Sequence, residues 1–285
     1  MIHNTYPTLV VAALASLLAG ASSAQNSPFP SLPQASGLGQ ILQQAKDLTG
    51  RQSTDEEAQA GEIMAAPVFG AAPAWRNAGV QSYVNLVGHN LARQVERRDV
   101  EWRFAVLDTP SVNAMAFPGG IVVLTRGLYE RLESEDELAA VLAHEIAHVN
   151  RRHQWKVIQQ QKLVALGEGA LVRGDSGRGD SGRNAKVMAD LGARLIARGL
   201  DKGAEFEADR DGMVIAARAG YDSSALIAVM ERLEALAPGQ ADTAMLFSTH
   251  PSPEARIAAM TAAASPELEA AAEPSPAAAR IRRAR

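Results

Sequence analysis

The chain has 285 residues, of which 47% are hydrophobic and 21% charged, so it can form a large core and is not a fully disordered protein. Aromatic residues make up only 5%, so the core must consist mainly of aliphatic side chains and alanine, which favours helices. The absence of cysteine excludes disulfides, thiol nucleophiles, iron–sulfur clusters and cysteine-bound zinc. The net charge of -4 gives no electrostatic reason to expect nucleic acid as a partner.

The N-terminus has the pattern of an export signal. Residues 8–20 are an unbroken run of apolar and small side chains, and the small residues 22–24 follow as a cleavage site. Because a membrane-spanning helix needs about 20 apolar residues, we interpret residues 1–24 as a signal peptide, with a short uncleaved anchor as the alternative. We therefore expect a soluble periplasmic protein without an integral membrane segment, and we leave peripheral association with the envelope open.

Composition indicates the other boundaries. Residues 25–61 are rich in Pro, Ser and Gln and are predicted to be a linker or arm. Residues 173–184 contain a repeated Arg-Gly-Asp unit, which predicts a mobile loop, and residues 263–285, rich in Ala, Pro and Arg, are predicted to be a disordered tail. One folded domain is thus expected over residues 62–262.

Hydrophobic periodicity predicts a helix followed by three strands. Apolar residues recur at helical spacing over residues 74–98, whereas residues 102–106 alternate as in a half-buried strand. Two more short strands, residues 113–117 and 121–124, flank a Pro-Gly-Gly turn. Strands in a row followed by helices predict an α+β fold with a small antiparallel or mixed sheet.

The following segments are helical. Ser134, with Glu137 three residues later, forms a capping box at the start of a helix whose first turn is acidic. Helical patterns resume over residues 185–219 and 223–236. The fold is therefore expected to be mainly helical, with the small sheet beside the capped helix.

The capped helix carries the sequence His144-Glu145-Ile146-Ala147-His148. Residues four apart on a helix differ in direction by about 40°, so both imidazoles leave the same face and can bind one tetrahedral zinc ion. Glu145 is rotated by about 100° and flanks the metal, where it can take a proton from the attacking water. The alternative is an exposed helix with two solvated histidines.

Catalytic zinc needs a third protein ligand and an open fourth position. Glu205 and Asp209 are again four residues apart and share a helix face, whereas Glu207 points about 200° away from Glu205. We predict Glu205 as the ligand and Asp209 as the acceptor that orients a zinc-bound histidine. Glu207 is expected to face solvent.

These motifs, with two further segments, resemble the zinc metallopeptidase family that contains the CAAX prenyl proteases, HtpX and the periplasmic proteases BepA and LoiP. Residues 113–120 (Asn-Ala-Met-Ala-Phe-Pro-Gly-Gly) resemble the strand and turn before the family's active-site helix, and residues 249–257 resemble its Thr-His-Pro segment. The membrane helices of the prenyl-protease and HtpX branches have no counterpart here, so the resemblance is to a soluble exported branch.

The resemblance implies a gluzincin metallopeptidase domain, with one zinc ion per chain and Glu145 as catalytic base. It places His250 at the site, where it either donates to the oxyanion or closes the open zinc position in the resting enzyme, with Arg256 supporting that segment. In the family Asp209 is also described as a proton donor, whereas its spacing from Glu205 favours the orienting role. The implied zinc ligands are His144, His148 and Glu205; the implied catalytic residues are Glu145, His250 and Asp209.

The expected function is that of a zinc metalloendopeptidase that cleaves exported or envelope proteins in protein quality control. Substrates would bind in extended conformation beside residues 113–117, through main-chain hydrogen bonds. One alternative is a latent or chaperone-like protein whose zinc is capped by His250, and another is a structural zinc site, which needs four closed ligands. Of the remaining histidines, His153 projects from a different face than His148 and is expected to be structural, and His89 is expected to be a surface or core residue.

Overall fold

A computed structural model describes residues 54–172, 200–235, 250 and 253–263. Its sheet consists of β1 (Arg103–Leu107), β2 (Ala114–Phe117) and β3 (Ile121–Thr125). The strand order is β1-β3-β2, with β1 parallel and β2 antiparallel to β3. The predicted small sheet is confirmed and is of the mixed kind.

Helices make up most of the described structure, which confirms the mainly helical α+β fold class. None of the described helices combines the length and apolar character needed to cross a membrane. In chain order the helices are α1 (Thr54–Ala71), α2 (Ala78–Ala92), α3 (Arg126–Tyr129), α4 (Glu135–Asn150), α5 (His153–Val172), α6 (Lys202–Arg218), α7 (Ala225–Ala235) and α8 (Pro253–Ala263).

The two faces of the sheet contribute to two hydrophobic clusters, because side chains alternate along a strand. Phe104, Val106 and Val122 pack into the larger cluster with α2, α4, α6 and α7. Ile121 and Val123 pack into the smaller cluster with α1 and the first turns of α5. The sheet therefore separates α1 from the helix that carries the His-Glu-x-x-His motif.

Helix α4 is buried on all sides from Leu138 to Val149, as expected for a helix in the centre of a core. It begins at the predicted cap, because Oγ of Ser134 accepts a hydrogen bond of 3.1 Å from the backbone N–H of Glu137. The exposed-helix alternative for the His-Glu-x-x-His motif is thus wrong.

The acidic first turn of α4 holds neighbouring elements in place. The hydroxyl of Tyr83 on α2 donates to Glu135 at 2.6 Å, and that of Tyr221 donates to the other carboxylate oxygen at 3.2 Å. Arg232 on α7 binds Glu137 with two hydrogen bonds, of 2.7 and 2.8 Å. These contacts fix α2 and α7 on either side of α4.

Helix α1 was not predicted from the sequence. Residues 54–61, expected to belong to the linker, are helical, and the buried residues Ala60 and Met64 pack on the sheet. The carboxylate of Glu57 is completely buried and forms salt bridges with Arg97 at 2.9 Å and Arg152 at 3.1 Å. Part of the predicted linker therefore belongs to the folded domain. Its few apolar side chains pack on the sheet, and one carboxylate forms salt bridges with arginines that are distant in sequence.

Helix α2 is shorter than predicted. It starts after Asn77, whose side chain accepts from the backbone N–H of Val80 at 3.1 Å, whereas Ala74 forms a β-bridge with Leu107. The expected signal peptide, most of the linker, the loop at residues 173–184 and residues 264–285 of the tail lie outside the described residues, so those interpretations stay predictions.

Candidate metal centre and active site

His144 and His148 lie side by side on the buried face of α4. Their Nε2 atoms are 3.0 Å apart, and only 4% and 1% of their surfaces are exposed. The two imidazoles are thus brought together as the helical spacing predicts, with both Nε2 atoms directed to one point.

Glu205 brings a carboxylate to the two histidines from the neighbouring helix α6. Its Oε2 lies 3.7 Å from Nε2 of His144, and its Oε1 lies 3.5 Å from Nε2 of His148. Donor atoms bound tetrahedrally to zinc at 2.0–2.1 Å are about 3.4 Å apart, so the three side chains fit one zinc ion. Gly212 permits this approach of the helices, because a Cβ at this position would lie 3.1 Å from the Cα of His144.

Asp209 lies behind His144, one helical turn after Glu205. One of its oxygens is 2.9 Å from Nδ1 of His144, and Arg256 donates to both oxygens, at 2.8 and 2.5 Å. Burial raises the pKa of Asp209, but Arg256 and His144 lower it by more, so the carboxyl is ionised. This contact favours the orienting role predicted for Asp209, and Arg256 supports Asp209 as well as its own segment.

His250 contacts the predicted ligand Glu205. Its Nδ1 lies 2.7 Å from Oε2 of Glu205, and donor atoms of His144, Glu205 and His250 all lie within 4.8 Å of one another. Burial raises the pKa of Glu205, but the hydrogen bond and charge of His250 and the charges of the other histidines lower it to about 2. His250 is thus close enough to close the metal site or to donate to a substrate beside it, and both predicted roles stay open.

Glu145 is buried beside these ligands and lines the same cleft. Burial raises the pKa of its carboxyl, although neighbouring cations oppose the shift. A carboxylate with a raised pKa is a stronger base, which suits the predicted role of Glu145.

The cleft has an empty volume of about 540 Å³, including its open mouth. Its polar wall is formed by His144, Glu145, His250 and Arg256. Its other lining residues are apolar and come from β2, α3, α4, α7 and the start of α8: Ala114, Leu128, Val141, Leu226, Val229, Met230, Leu233 and Pro253.

Strand β2 lies at one edge of the sheet, beside α4. The backbone N–H of Thr125 on β3 donates to the carbonyl of Asn113, so alternate residues, Ala114 and Ala116, direct their backbone groups to the side of β2 that faces away from β3. Gln154 donates to the carbonyl of Ala116 at 3.3 Å. The Asn113 side chain is fully buried, and its amide has no hydrogen-bond partner among the described residues.

Two residues near the ligands were not assigned to the site from sequence. His153 was expected to project away from His148, but its Nδ1 lies 2.9 Å from Nδ1 of His148. Glu207 was expected to face solvent, but its carboxylate lies 3.2 Å from Nε2 of His153 and only 35% of the side chain is exposed. His89 is exposed on α2 beside Phe104, as a surface residue.

The turn between α4 and α5 explains the error for His153. Five residues on a continuous helix would place two side chains about 140° apart. Here Arg152 has a φ of 57°, in the left-handed region, and interrupts the helix. The chain reverses at this residue, so His153 points back towards His148.

Comparison with known proteins gives one family and several relatives. The model of peptidase family M48 matches residues 78–264, more than half of the chain. The beta-barrel assembly-enhancing protease of Escherichia coli (strain K12) is 29% identical over 213 residues, 72% of this chain and 43% of that protein. The mitochondrial metalloendopeptidase OMA1 of Schizosaccharomyces pombe is 32% identical over 176 residues, 61% of this chain and 50% of that protein. The chain thus spans less than half the length of the beta-barrel assembly-enhancing protease.

Proposed function

Because the chain belongs to peptidase family M48, a family of zinc metallopeptidases, we propose that it is a zinc-dependent metalloendopeptidase with one zinc ion per chain. The observation that carries this proposal is the convergence of His144, His148 and the Glu205 carboxylate, with distances of 3.0 to 3.7 Å between their donor atoms, beside the buried carboxylate of Glu145. The relatives have the names of proteases, so the latent or chaperone-like alternative is not favoured.

Each polar residue of the site has its own role in the proposed reaction. Zinc, when bound, would polarise the scissile carbonyl and lower the pKa of a bound water to about 7. Glu145 takes the proton of the attacking water and passes it to the leaving amine. His250 donates a hydrogen bond to the oxyanion that forms at the scissile carbon, an effect of about 3–4 kcal/mol for one donor in other enzymes. Asp209 holds His144 in the orientation that binds the metal.

The substrate is proposed to be an extended segment of an exported or envelope protein. The outer edge of β2 supports this, since Ala114 lines the cleft and directs its backbone groups away from β3, while the carbonyl of Ala116 would exchange its hydrogen bond from Gln154 for one to the added strand. Main-chain pairing selects unfolded segments rather than one sequence, which suits protein quality control. The name of the Escherichia coli relative, beta-barrel assembly-enhancing protease, is consistent with such substrates.

A structural zinc site is the weaker alternative. It would need four protein ligands and no open position, which His250 could provide together with the three predicted ligands. A structural zinc site does not need an open cleft with apolar walls, yet such a cleft lies beside Glu145. Peptide hydrolysis is therefore the function that the geometry supports best.

Substitution of the base tests the proposal. Purified Glu145→Gln protein should retain about one zinc per chain, because all three ligands remain, but its hydrolysis of casein should fall by about a hundredfold or more. Glu101→Gln, at an exposed glutamate, is the matched control and should leave both quantities unchanged. A Glu145→Gln protein with normal turnover, or a wild-type protein that binds no zinc, contradicts the proposal.

Cell fractionation tests the proposed periplasmic location, which rests on the predicted signal at residues 1–24. In a bacterium with two membranes, the protein should appear in the periplasmic fraction and lack those residues. Recovery of the full-length chain in the cytoplasm contradicts this part of the proposal.

A further inference from the structure

His153, which is buried, and Glu207, which is partly exposed, form a pair directly behind the predicted zinc ligand His148. Nδ1 of His153 lies 2.9 Å from Nδ1 of His148, and Nε2 of His153 lies 3.2 Å from Oε2 of Glu207. The side chain of His153 is only 4% exposed. Neither residue has a part in the reaction described above.

The positions of the protons follow from these contacts. Nε2 of His148 lies 3.0 Å from Nε2 of His144 and 3.5 Å from Glu205, so it is the nitrogen that faces the predicted metal. A nitrogen that binds a metal carries no proton, and a neutral imidazole has one N–H, so the proton of His148 must be on Nδ1. That N–H then needs an acceptor.

Nδ1 of His153 is this acceptor only if His153 carries its own proton on Nε2. The carboxylate of Glu207 favours that tautomer, because it can accept a hydrogen bond from Nε2–H. In the opposite tautomer the lone pair of Nε2 would face a carboxylate. The proton of His148 would also move to Nε2, where it blocks the metal.

We propose that Glu207 and His153 are positioning residues that hold His148 in its metal-binding tautomer, an inference that rests on the proposed zinc peptidase function. Glu207 selects the tautomer of His153, and His153 selects that of His148. Arg151, which contacts Glu207 at 3.5 Å and also binds Asp211, holds the carboxylate in place. Helix α6 thus supplies a carboxylate for each histidine ligand, Asp209 directly to His144 and Glu207 through His153.

A purely structural role for His153 is distinguishable from this one. His153 begins α5 and follows the left-handed residue Arg152, so its ring could serve only to pack the turn. Phenylalanine would keep the ring and lose the acceptor, whereas asparagine would lose the ring and keep an acceptor oxygen close to the position of Nδ1. The two substitutions therefore separate packing from hydrogen bonding.

The test measures the zinc affinity of the purified protein by competition with a chelator, together with the visible spectrum of its cobalt-substituted form. His153→Phe should weaken zinc binding by about tenfold to a hundredfold and change the cobalt spectrum. His153→Asn should restore most of the affinity, and Glu207→Ala should give a smaller loss than His153→Phe. His89→Phe, which removes an exposed histidine, is the matched control and should bind zinc as the wild type does.

The outcomes separate this proposal from the proposed function. Normal zinc affinity in His153→Phe, or equal losses in His153→Asn and His153→Phe, overturns the positioning role while the wild-type enzyme still binds zinc and cleaves casein. If His153→Phe does not fold, the zinc affinities of His153→Asn and Glu207→Ala still test the proposal. Wild-type zinc affinity in Glu207→Ala would show that Glu207 does not select the tautomer of His153. A wild-type protein without zinc would instead overturn the proposed function itself.

Discussion

At the residue level, the cleft combines the polar side chains of the candidate site with an apolar wall. Val229, Met230 and Leu233 on α7 face the same space as Glu145 and His250. A substrate side chain that enters this space leaves water and contacts mainly aliphatic groups. Burial of a leucine-sized side chain contributes about 1.5–3 kcal/mol, which corresponds to a rate difference of more than tenfold if it occurs in the transition state.

We therefore expect cleavage next to large apolar side chains. In a series of peptides that differ at one position beside the scissile bond, leucine should give a kcat/KM about tenfold or more above that of glycine, and aspartate should give the lowest value. Val229→Phe should reduce the space and shift the preference to small side chains. Ala228→Phe, at an exposed position of the same helix, is the control and should keep the wild-type preference. Equal kcat/KM values along the series would contradict an apolar subsite.

The residues of the site were predictable from sequence where a helix fixes their spacing. His144 and His148 share a face of α4, and Glu205 and Asp209 share a face of α6, because four residues make slightly more than one turn. His153 was not predictable in this way, since its direction depends on the left-handed φ of Arg152. A non-glycine residue in that conformation leaves no clear sequence signal.

At the level of elements, α1 is the part of the fold that depends most on close backbone contact. Gly61 lies against the Pro-Gly-Gly turn after β2, and a Cβ at this position would lie 1.8 Å from the carbonyl oxygen of Pro118. On the other side of the contact, Gly119 has a φ of 77° and lies against the backbone of Ala58. Neither helix nor turn can take a larger residue here without moving apart.

Gly61→Ala should therefore destabilise the protein by about 1–3 kcal/mol, as overpacking does, despite the better helix propensity of alanine. Gly70→Ala in the same helix is the matched control, since a Cβ at position 70 would have no described atom within 4 Å. It should leave the free energy of unfolding unchanged or raise it by up to about 1 kcal/mol. Urea unfolding measures both, and equal stabilities would show that α1 does not pack closely on the turn.

The elements differed in how well sequence indicated them. Helix α4 was predicted correctly at its start, because the cap of Ser134 and the acidic first turn are local signals. Helix α1 was missed entirely, because its burial rests on contacts with Pro118, Arg97 and the sheet that are distant along the chain. Tertiary contacts of this kind override a composition typical of a linker.

At the level of the whole molecule, the buried carboxylate of Glu57 and the exposed carboxylate of Asp99 link distant parts of the chain through arginines. Glu57 on α1 binds Arg97 and Arg152, and Asp99 accepts hydrogen bonds from Arg97 at 3.0 Å and from Thr54 at 2.9 Å. This network joins the first turn of α1, the segment after α2 and the turn that carries His153. The fold around the predicted metal centre is therefore sensitive to the protonation of Asp99, which lies outside the cleft.

The pKa of Asp99 shows how the stability of the protein should change with pH. The hydrogen bonds from Arg97 and Thr54 lower the pKa of Asp99 from 3.8 to about 2, although burial opposes the shift. A carboxyl with a lowered pKa in the folded state stabilises the protein above its unfolded pKa, and this stabilisation is lost as the pH falls towards the folded pKa. The contribution of Asp99 is thus complete above about pH 4 and disappears between about pH 4 and pH 2.

Urea unfolding at a series of pH values measures this contribution. Asp99→Asn should be less stable than the wild type at pH 7, and the difference should shrink as the pH falls from 4 to 2, because the wild type alone loses the charge at this position. Thr54→Val removes one of the two donors and so raises the folded pKa of Asp99; the loss in that variant should therefore be smaller and end at a higher pH than in the wild type. Glu205 and Asp209 titrate in all three proteins, so their effect cancels in the comparison. A constant difference between wild type and Asp99→Asn from pH 7 to pH 2 would show that Arg97 and Thr54 do not stabilise the charged form of Asp99.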